Sequence, residues 1–205
     1  NYMSELINKY WFLTNNILQD GIYYPLEGYL APDTYYFKDS DVDPKEIIER
    51  MLDEMNKELT EYRVNLGDNV HYYLTMASIV ELEGKTLEDR QNIMGVFNNR
   101  ISAGMHLGSD VTTYYAFQVS MSTKLTSEQY NTANPYNTRP TSKVGPPIGP
   151  ICNPDLTSIQ ASINPINNNY LYFVADSTGK VYYSRTSDEQ NKVIQDLISS
   201  GKWNG

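Results

Sequence analysis

The sequence predicts a helix-dominated α+β domain with a β-hairpin near the C-terminus and a long irregular region in front of it. Three observations predict this. Apolar residues recur at helical spacing in several separate stretches. Residues 170–175 and 181–185 are rich in Tyr, Phe and Val and flank a Gly-containing turn, as a hairpin requires. Residues 117–153 hold turn formers without sustained periodicity, and such stretches in a compact domain are more often binding loops than idle linkers.

Taken in order, Met3 to Leu18 carries Leu6, Ile7, Tyr10, Trp11, Leu13, Thr14 and Ile17, which predicts a helix ended by Asp20-Gly21. The aromatic stretch Tyr24 to Phe37 contains Pro25, Gly28 and Pro32, so it reads as a packed irregular segment. Residues 1–40 thus form an N-terminal helix and connector, and 41–205 the main domain, together one unit. Asp43-Pro44-Lys45-Glu46 starts a helix with an Asp cap, Pro in the first turn and a capping box. Thr86 caps another that Gly104 stops, and Asp110 opens a short one. Asp155 opens a helix that runs to Ile163. Ser187 to Gln190 caps the last, with Val193, Ile194, Leu197 and Ile198 inward.

Composition narrows the function. Sixteen basic and twenty-five acidic residues give a net charge of −9, which argues against nucleic acid or an anionic membrane surface as main partner. Eighteen tyrosines suit either sugar-ring stacking or amphipathic cores. Cys152 is the single cysteine and His71 and His106 the two histidines, so no metal centre or disulfide framework is expected. No apolar run approaches the roughly 18 residues of a membrane span.

The central stretch is Leu74 to Gly84, an uncharged helix ending in Glu81 and Glu83 and closed by a glycine expected at positive φ. The two acids lie about 200° apart around the helix and cannot flank one bond as a pair. Glu81 shares a face with Leu74, Ala77 and Ser78, company that pushes a carboxyl toward its protonated form, the state of a general acid. The alternative is a helix-end Glu that reaches solvent or pairs with an Arg. Neither a Ser-His-Asp set nor a phosphate-binding Gly pattern is present, which leaves carboxylate chemistry on an uncharged polymer.

Seven blocks resemble the signatures of the MltG/YceG-like endolytic murein transglycosylases, in the family's order from Leu26 to Ile198. They are Leu26–Tyr35, Ala77–Glu81, Val96–Ile101 with Gly104-Met105, Leu107–Asp110, Tyr136–Thr138, Gly145–Pro154 and Tyr170–Asp176. The resemblance covers the catalytic region alone; an N-terminal membrane helix and LysM-like module are implied for the full-length protein. It places the catalytic glutamate on Glu81 and implies cleavage of the MurNAc-β-1,4-GlcNAc bond in nascent peptidoglycan, leaving a 1,6-anhydro-MurNAc end. One acid suffices there, because the sugar's own 6-hydroxyl replaces the second carboxylate or activated water of hydrolases.

Under the same resemblance Asn99, Arg100, Ser109, Asp110 and Thr112 shape the cleft, with Asp110 equally readable as a helix cap. Tyr136, Asn137 and Thr138, with Pro147 and Asn153 of the Pro-Pro loop, hold N-acetyl groups and rings or serve loop rigidity. Glu83 is a supporting acid paired with Arg100, or a solvated one. The chain departs from the family at Gly108, at Gly145-Pro-Pro-Ile-Gly149 and at Glu189-Gln190-Asn191, the last removing a histidine. The implied partners are peptidoglycan glycan strands and cell-wall synthases, at the extracytoplasmic face of the bacterial membrane, with no cofactor. A glycan-binding scaffold module is the competing reading. The older family label of aminodeoxychorismate lyase would need pyridoxal phosphate, and no Lys sits in a Gly-rich anion-binding context.

Overall fold

The computed structural model describes residues 2–38 and 41–203. In chain order the helices are α1 (Tyr2–Lys9), α2 (Pro44–Thr60), α3 (Arg63–Leu66), α4 (Val70–Glu83), α5 (Leu87–Ser102), α6 (Asp110–Ala116), α7 (Ser127–Asn131), α8 (Leu156–Ile163) and α9 (Ser187–Ser199). Two strands, β1 (Tyr172–Ala175) and β2 (Val181–Ser184), pair antiparallel with Tyr172 opposite Ser184 and Ala175 opposite Val181. The chain is α+β.

Helix α4 is apolar on every side, and a helix without a polar stripe belongs in an interior. Every residue from Leu74 to Val80 is buried. It divides the core in two. Val70, Leu74 and Ala77 pack with Leu6, Phe12, Tyr29, Leu52 and Leu59. Met76, Ile79 and Val80 pack with Ile93, Phe97, Leu107, Tyr136 and Ile151. Burying Leu74, Met76, Ile79 and Val80 contributes about 1.5–3 kcal/mol each. Thr75 and Ser78, the polar residues inside, are satisfied by the helix itself: their hydroxyls donate to the His71 and Thr75 carbonyls, each at 2.7 Å. Ser78 Oγ also accepts from the Ile151 N–H at 3.0 Å, tying the Pro-rich loop to α4.

The N-terminal segment differs from the expected single helix. α1 stops at Lys9, and Thr14 caps a separate 3-10 turn at Asn15–Leu18. Tertiary bonds explain the break: the Tyr10 hydroxyl donates to Asp53 at 2.7 Å and Trp11 Nε1 to Asn56 at 3.0 Å, both on α2. Residues Leu6 to Ala31 contribute to the first core alongside α2 and α4. Gly28 docks this connector onto the Pro-rich loop. Its N–H donates to Asn153 Oδ1 at 2.6 Å, its φ is +88°, and a Cβ there would meet the Pro150 ring.

α2 begins as expected with Pro44 in the first turn and Asp43 Oδ1 accepting from the Lys45 N–H at 2.9 Å, but the expected capping box with Glu46 is not formed. α5 is capped by Thr86, and Asp155 Oδ1 caps α8 through the Ser158 N–H at 2.8 Å. Three corrections concern helix ends. Thr186, not Ser187, caps α9, and Ile198 on its outer side is 49% exposed. Asp110 is the first residue of α6 rather than its cap, Ser109 holding that position. Gly84 closes α4 in extended backbone, φ −119°, so positive φ is not what it supplies. It supplies space: a Cβ there would lie 2.9 Å from Arg90 Cγ and 3.0 Å from the Arg90 nitrogen.

Candidate active site

The close approach at Gly84 brings α5 back against the end of α4, and with it Arg90. Arg90 is buried and donates three ways: Nε to the Gly84 carbonyl at 3.0 Å, Nη1 to Asp155 at 2.7 Å and Nη2 to Glu81 Oε1 at 3.1 Å. The other oxygen of Glu81 accepts from the Asp155 N–H at 3.0 Å and the Ser158 hydroxyl at 2.7 Å. Glu81 therefore lies over the N-terminus of α8, where backbone N–H groups favour an anion. Burial works against the charge of Asp155, but the bonds from Arg90 and the Ser158 N–H outweigh it and hold that carboxyl below its usual range. Of the readings open for Glu81, this geometry is the helix-end glutamate paired with an arginine.

Glu83 leaves the helix end on the other side. Its Oε1 accepts from the Ser109 hydroxyl at 2.6 Å. The residue keeps a partly open surface, yet protein atoms surround its carboxyl closely. That desolvation raises its pKa. The Ser109 bond offsets part of the rise, Asp110 adds to it and Arg139 opposes it. Glu83 thus combines a raised pKa with, among the described residues, one hydrogen bond and a partly exposed side chain, features suited to a general acid at neutral pH.

Ser109 is itself fixed. Its N–H donates to Thr138 Oγ1 at 3.3 Å, Thr138 Oγ1 shares a hydrogen with Thr112 Oγ1 at 2.7 Å, and Thr112 donates to the Ser109 carbonyl at 2.7 Å. A cavity of about 330 Å³ opens beside this corner, bounded by Leu82 of α4 and Val111 of α6. Glu27 and Tyr115 also line it, and the Glu83 carboxyl does not. A second cavity of about 430 Å³ shares Tyr24 and Glu27 with it.

A family model described as "YceG-like family" matches residues 3–196. The chain belongs to the YceG-like family. It is 37% identical over 191 residues to the endolytic murein transglycosylase of Bacillus subtilis, covering 92% of this chain and 52% of that protein. It is 35% identical over 210 residues to the endolytic murein transglycosylase of Streptococcus pneumoniae, covering 97% of this chain and 37% of that protein. The 2.6 Å crystal structure of a yceG-like protein from Listeria monocytogenes superposes with a TM-score of 0.86 at 39% identity, over 94% of this chain and 63% of that one. The chain spans about half the length, or less, of these curated relatives.

Within this YceG-like fold the remaining residues singled out by sequence fall into two groups. Thr112, Asn137 and Thr138 are wholly buried. The Asn137 amide donates to the Gln129 and Thr132 carbonyls at 2.8 and 2.9 Å and its Oδ1 accepts from Thr113, so its bonds are spent inside the protein. Tyr136 is buried, its hydroxyl accepting from the Tyr23 N–H at 3.3 Å, and Pro147 is buried too. In this conformation these residues support the corner and do not face solvent. Asn99 is bound to Asn168 and Tyr170, and Arg100 donates to the Leu171 and Leu107 carbonyls at 2.6 and 2.5 Å. The expected Glu83–Arg100 pair is not formed; Ser109 takes that place.

Ser109 is buried as well, whereas Asp110 and Asn153 are partly open. Asp110 pairs with Arg139, whose guanidinium also sits over the Tyr130 ring at 5.1 Å. Asn153 lines the second cavity. The sequence reading singles out none of Arg90, Ser158, Arg139, Glu27 and Tyr115 as site residues, and marks Asp155 as a helix start alone. Arg90 had a signal: an arginine one turn past the Thr86 cap reaches back over the helix it follows. Ser158 and Arg139 had none, because their partners lie far along the chain. His71 is structural, its Nε2–H donating to the Ile148 carbonyl at 2.7 Å while Nδ1 accepts from Tyr29 at 2.6 Å. Among the described residues no cluster of His, Cys, Asp and Glu is arranged to hold a metal, and no helix is long and apolar enough to cross a membrane.

Proposed function

We propose that this chain is the catalytic part of an endolytic murein transglycosylase, and that Glu83 rather than Glu81 is its proton donor and acceptor. Family membership and the names of the relatives support the substrate, peptidoglycan glycan strands. One observation carries the assignment of the acid: among the described residues Glu83 is hydrogen-bonded to Ser109 alone, at an enclosed and partly exposed corner, while both oxygens of Glu81 are committed to Arg90, Asp155 and Ser158.

In this reading Glu83 begins protonated. It gives its proton to the glycosidic oxygen as the bond from the MurNAc anomeric carbon breaks. The acetamido oxygen of the same sugar stabilises the positive charge left at that carbon. The MurNAc 6-hydroxyl oxygen then bonds to it, and the proton it loses returns to Glu83. The acid is restored, no water is consumed, and the new end is 1,6-anhydro-MurNAc. Ser109 holds the carboxylate between the two transfers. Glu81 fixes the geometry by clamping α4, α5 and α8 at one point.

The same reading places the full-length protein at the extracytoplasmic face of the bacterial membrane, among cell-wall synthases. The test is digestion of purified, peptide-free glycan strands with products resolved by mass. Anhydro ends support a transglycosylase. Ends carrying added water would make the protein a hydrolase, and no product from strands that the protein nevertheless binds would make it a scaffold module.

A further inference from the structure

Glu27 has no part in that reaction, yet the fold holds it where a carboxyl is costly. It lines both cavities and so stands on the saddle between them. Its Oε2 accepts a hydrogen bond from the Tyr115 hydroxyl. Among the described residues Oε1 receives no donor from the protein. Tyr115 is held in turn by its ring, 4.7 Å from that of Tyr136 and 5.8 Å from that of Tyr23. Desolvation raises the Glu27 pKa and the tyrosine bond only partly offsets it.

The surroundings are those of a binding surface. Tyr24, at the junction of the cavities, is 57% exposed, and Leu82 and Met121 on the wall of the first are 38% and 51% exposed. Large apolar side chains gathered around one opening mark a site of contact more often than a random surface does. Each cavity is within the size range of small-ligand pockets. The second is apolar, lined by Pro25, Leu26, Leu30 and Ile48 with Asn153 at its edge. A carboxylate can only accept, so its complement is a hydroxyl or an N–H. An exposed aromatic face beside such an acceptor suits a pyranose ring, apolar on its face and polar at its edge.

We propose that Glu27 anchors a saccharide subsite spanning the two cavities, its free Oε1 accepting from a hydroxyl or acetamido N–H of a hexosamine whose ring lies on Tyr24. Leu82 and Val111, next in the chain to Glu83 and Asp110, line the first cavity, and the inference rests on the glycan-cleaving reading of the Glu83 corner. Glu27 binds the strand and takes no proton in the reaction.

The test separates binding from cleavage. A peptide-free tetrasaccharide of alternating GlcNAc and MurNAc is titrated calorimetrically into Glu83→Gln and into Glu83→Gln/Glu27→Gln, and Glu27→Gln alone is assayed on glycan strands. The expected result is a Kd and a KM raised about tenfold or more, with kcat little changed. Tyr24→Ala, at an exposed position, should weaken binding as well and keeps the test valid if Glu27→Gln folds poorly. Unchanged Kd and KM in both variants overturn the proposal, as does a loss confined to kcat, which would make Glu27 catalytic. Binding that depends on Glu27 without any cleavage by the wild type would keep the subsite and refute the reaction; neither binding nor cleavage would refute both.

Discussion

Glu81 and Glu83 leave the same end of α4 in nearly opposite directions, one onto Arg90 and the start of α8, the other onto Ser109. A two-residue step along a helix enforces that divergence. It commits both oxygens of Glu81 to Arg90, Asp155 and Ser158 and one of Glu83 to Ser109, the difference on which the proposed role of Glu83 rests.

The structural acid should show itself in stability. Arg90→Ala leaves two carboxylates without their cation and is expected to cost about 2–3 kcal/mol in urea unfolding, less than a wholly buried pair because Asp155 is partly open to water. Glu81→Gln keeps one acceptor for Ser158 but loses the charge facing Arg90, and should cost about 1–2 kcal/mol. An unfolding midpoint unchanged in both variants would contradict the clamp.

Glu83 should do the reverse. A carboxyl whose pKa is raised on folding binds its proton more tightly in the native state, so its contribution is favourable in acid and is lost as pH rises through the folded pKa. Glu83→Gln removes that penalty and should raise Tm at pH 7, by about 2–4 °C for each kcal/mol relieved. The gain should vanish below the ordinary carboxylate range. Thermal melts of both proteins from acid to neutral pH check this.

Ser109 donates to Glu83 and so favours its charged form. In Ser109→Ala the carboxyl should keep its proton to higher pH. The alkaline limb of the kcat/KM profile is therefore expected to move upward, with the fold intact. A limb that stays in place, or moves to lower pH, would separate Ser109 from the acid.

At Gly84 the constraint is contact rather than backbone angle. Gly84→Ala puts a methyl against the Arg90 backbone and stem and should cost about 1–3 kcal/mol. Differential unfolding of this variant, alone and combined with Arg90→Ala, would reveal whether the two residues act through one contact.

Much of the scaffold was legible because its signals are local. The unbroken apolar run made α4 a buried helix, and Asp43-Pro44, Thr86 and Asp155 marked the starts of α2, α5 and α8. The break after α1 was not legible, because Tyr10, Trp11, Leu13, Thr14 and Ile17 preserve helical spacing and the break is set by bonds to Asp53 and Asn56 some forty residues away. The opposed faces of the two glutamates could be read from their spacing. How many bonds each would make could not. That depended on Asp155 and Ser158, more than seventy residues downstream, arriving over one face of α4 and Ser109 over the other. Glu27 escaped notice for the same reason, since Tyr115 completes its environment from another part of the chain.

The most direct measurement digests peptide-free glycan strands with wild type, Glu81→Gln and Glu83→Gln in parallel and resolves the products by mass. Wild type is expected to give 1,6-anhydro-MurNAc ends, folded Glu81→Gln the same ends, and Glu83→Gln none at a Tm no lower than wild type. Anhydro ends from Glu83→Gln, with activity lost instead in a stably folded Glu81→Gln, would contradict the assignment of Glu83 and return the catalytic role to Glu81.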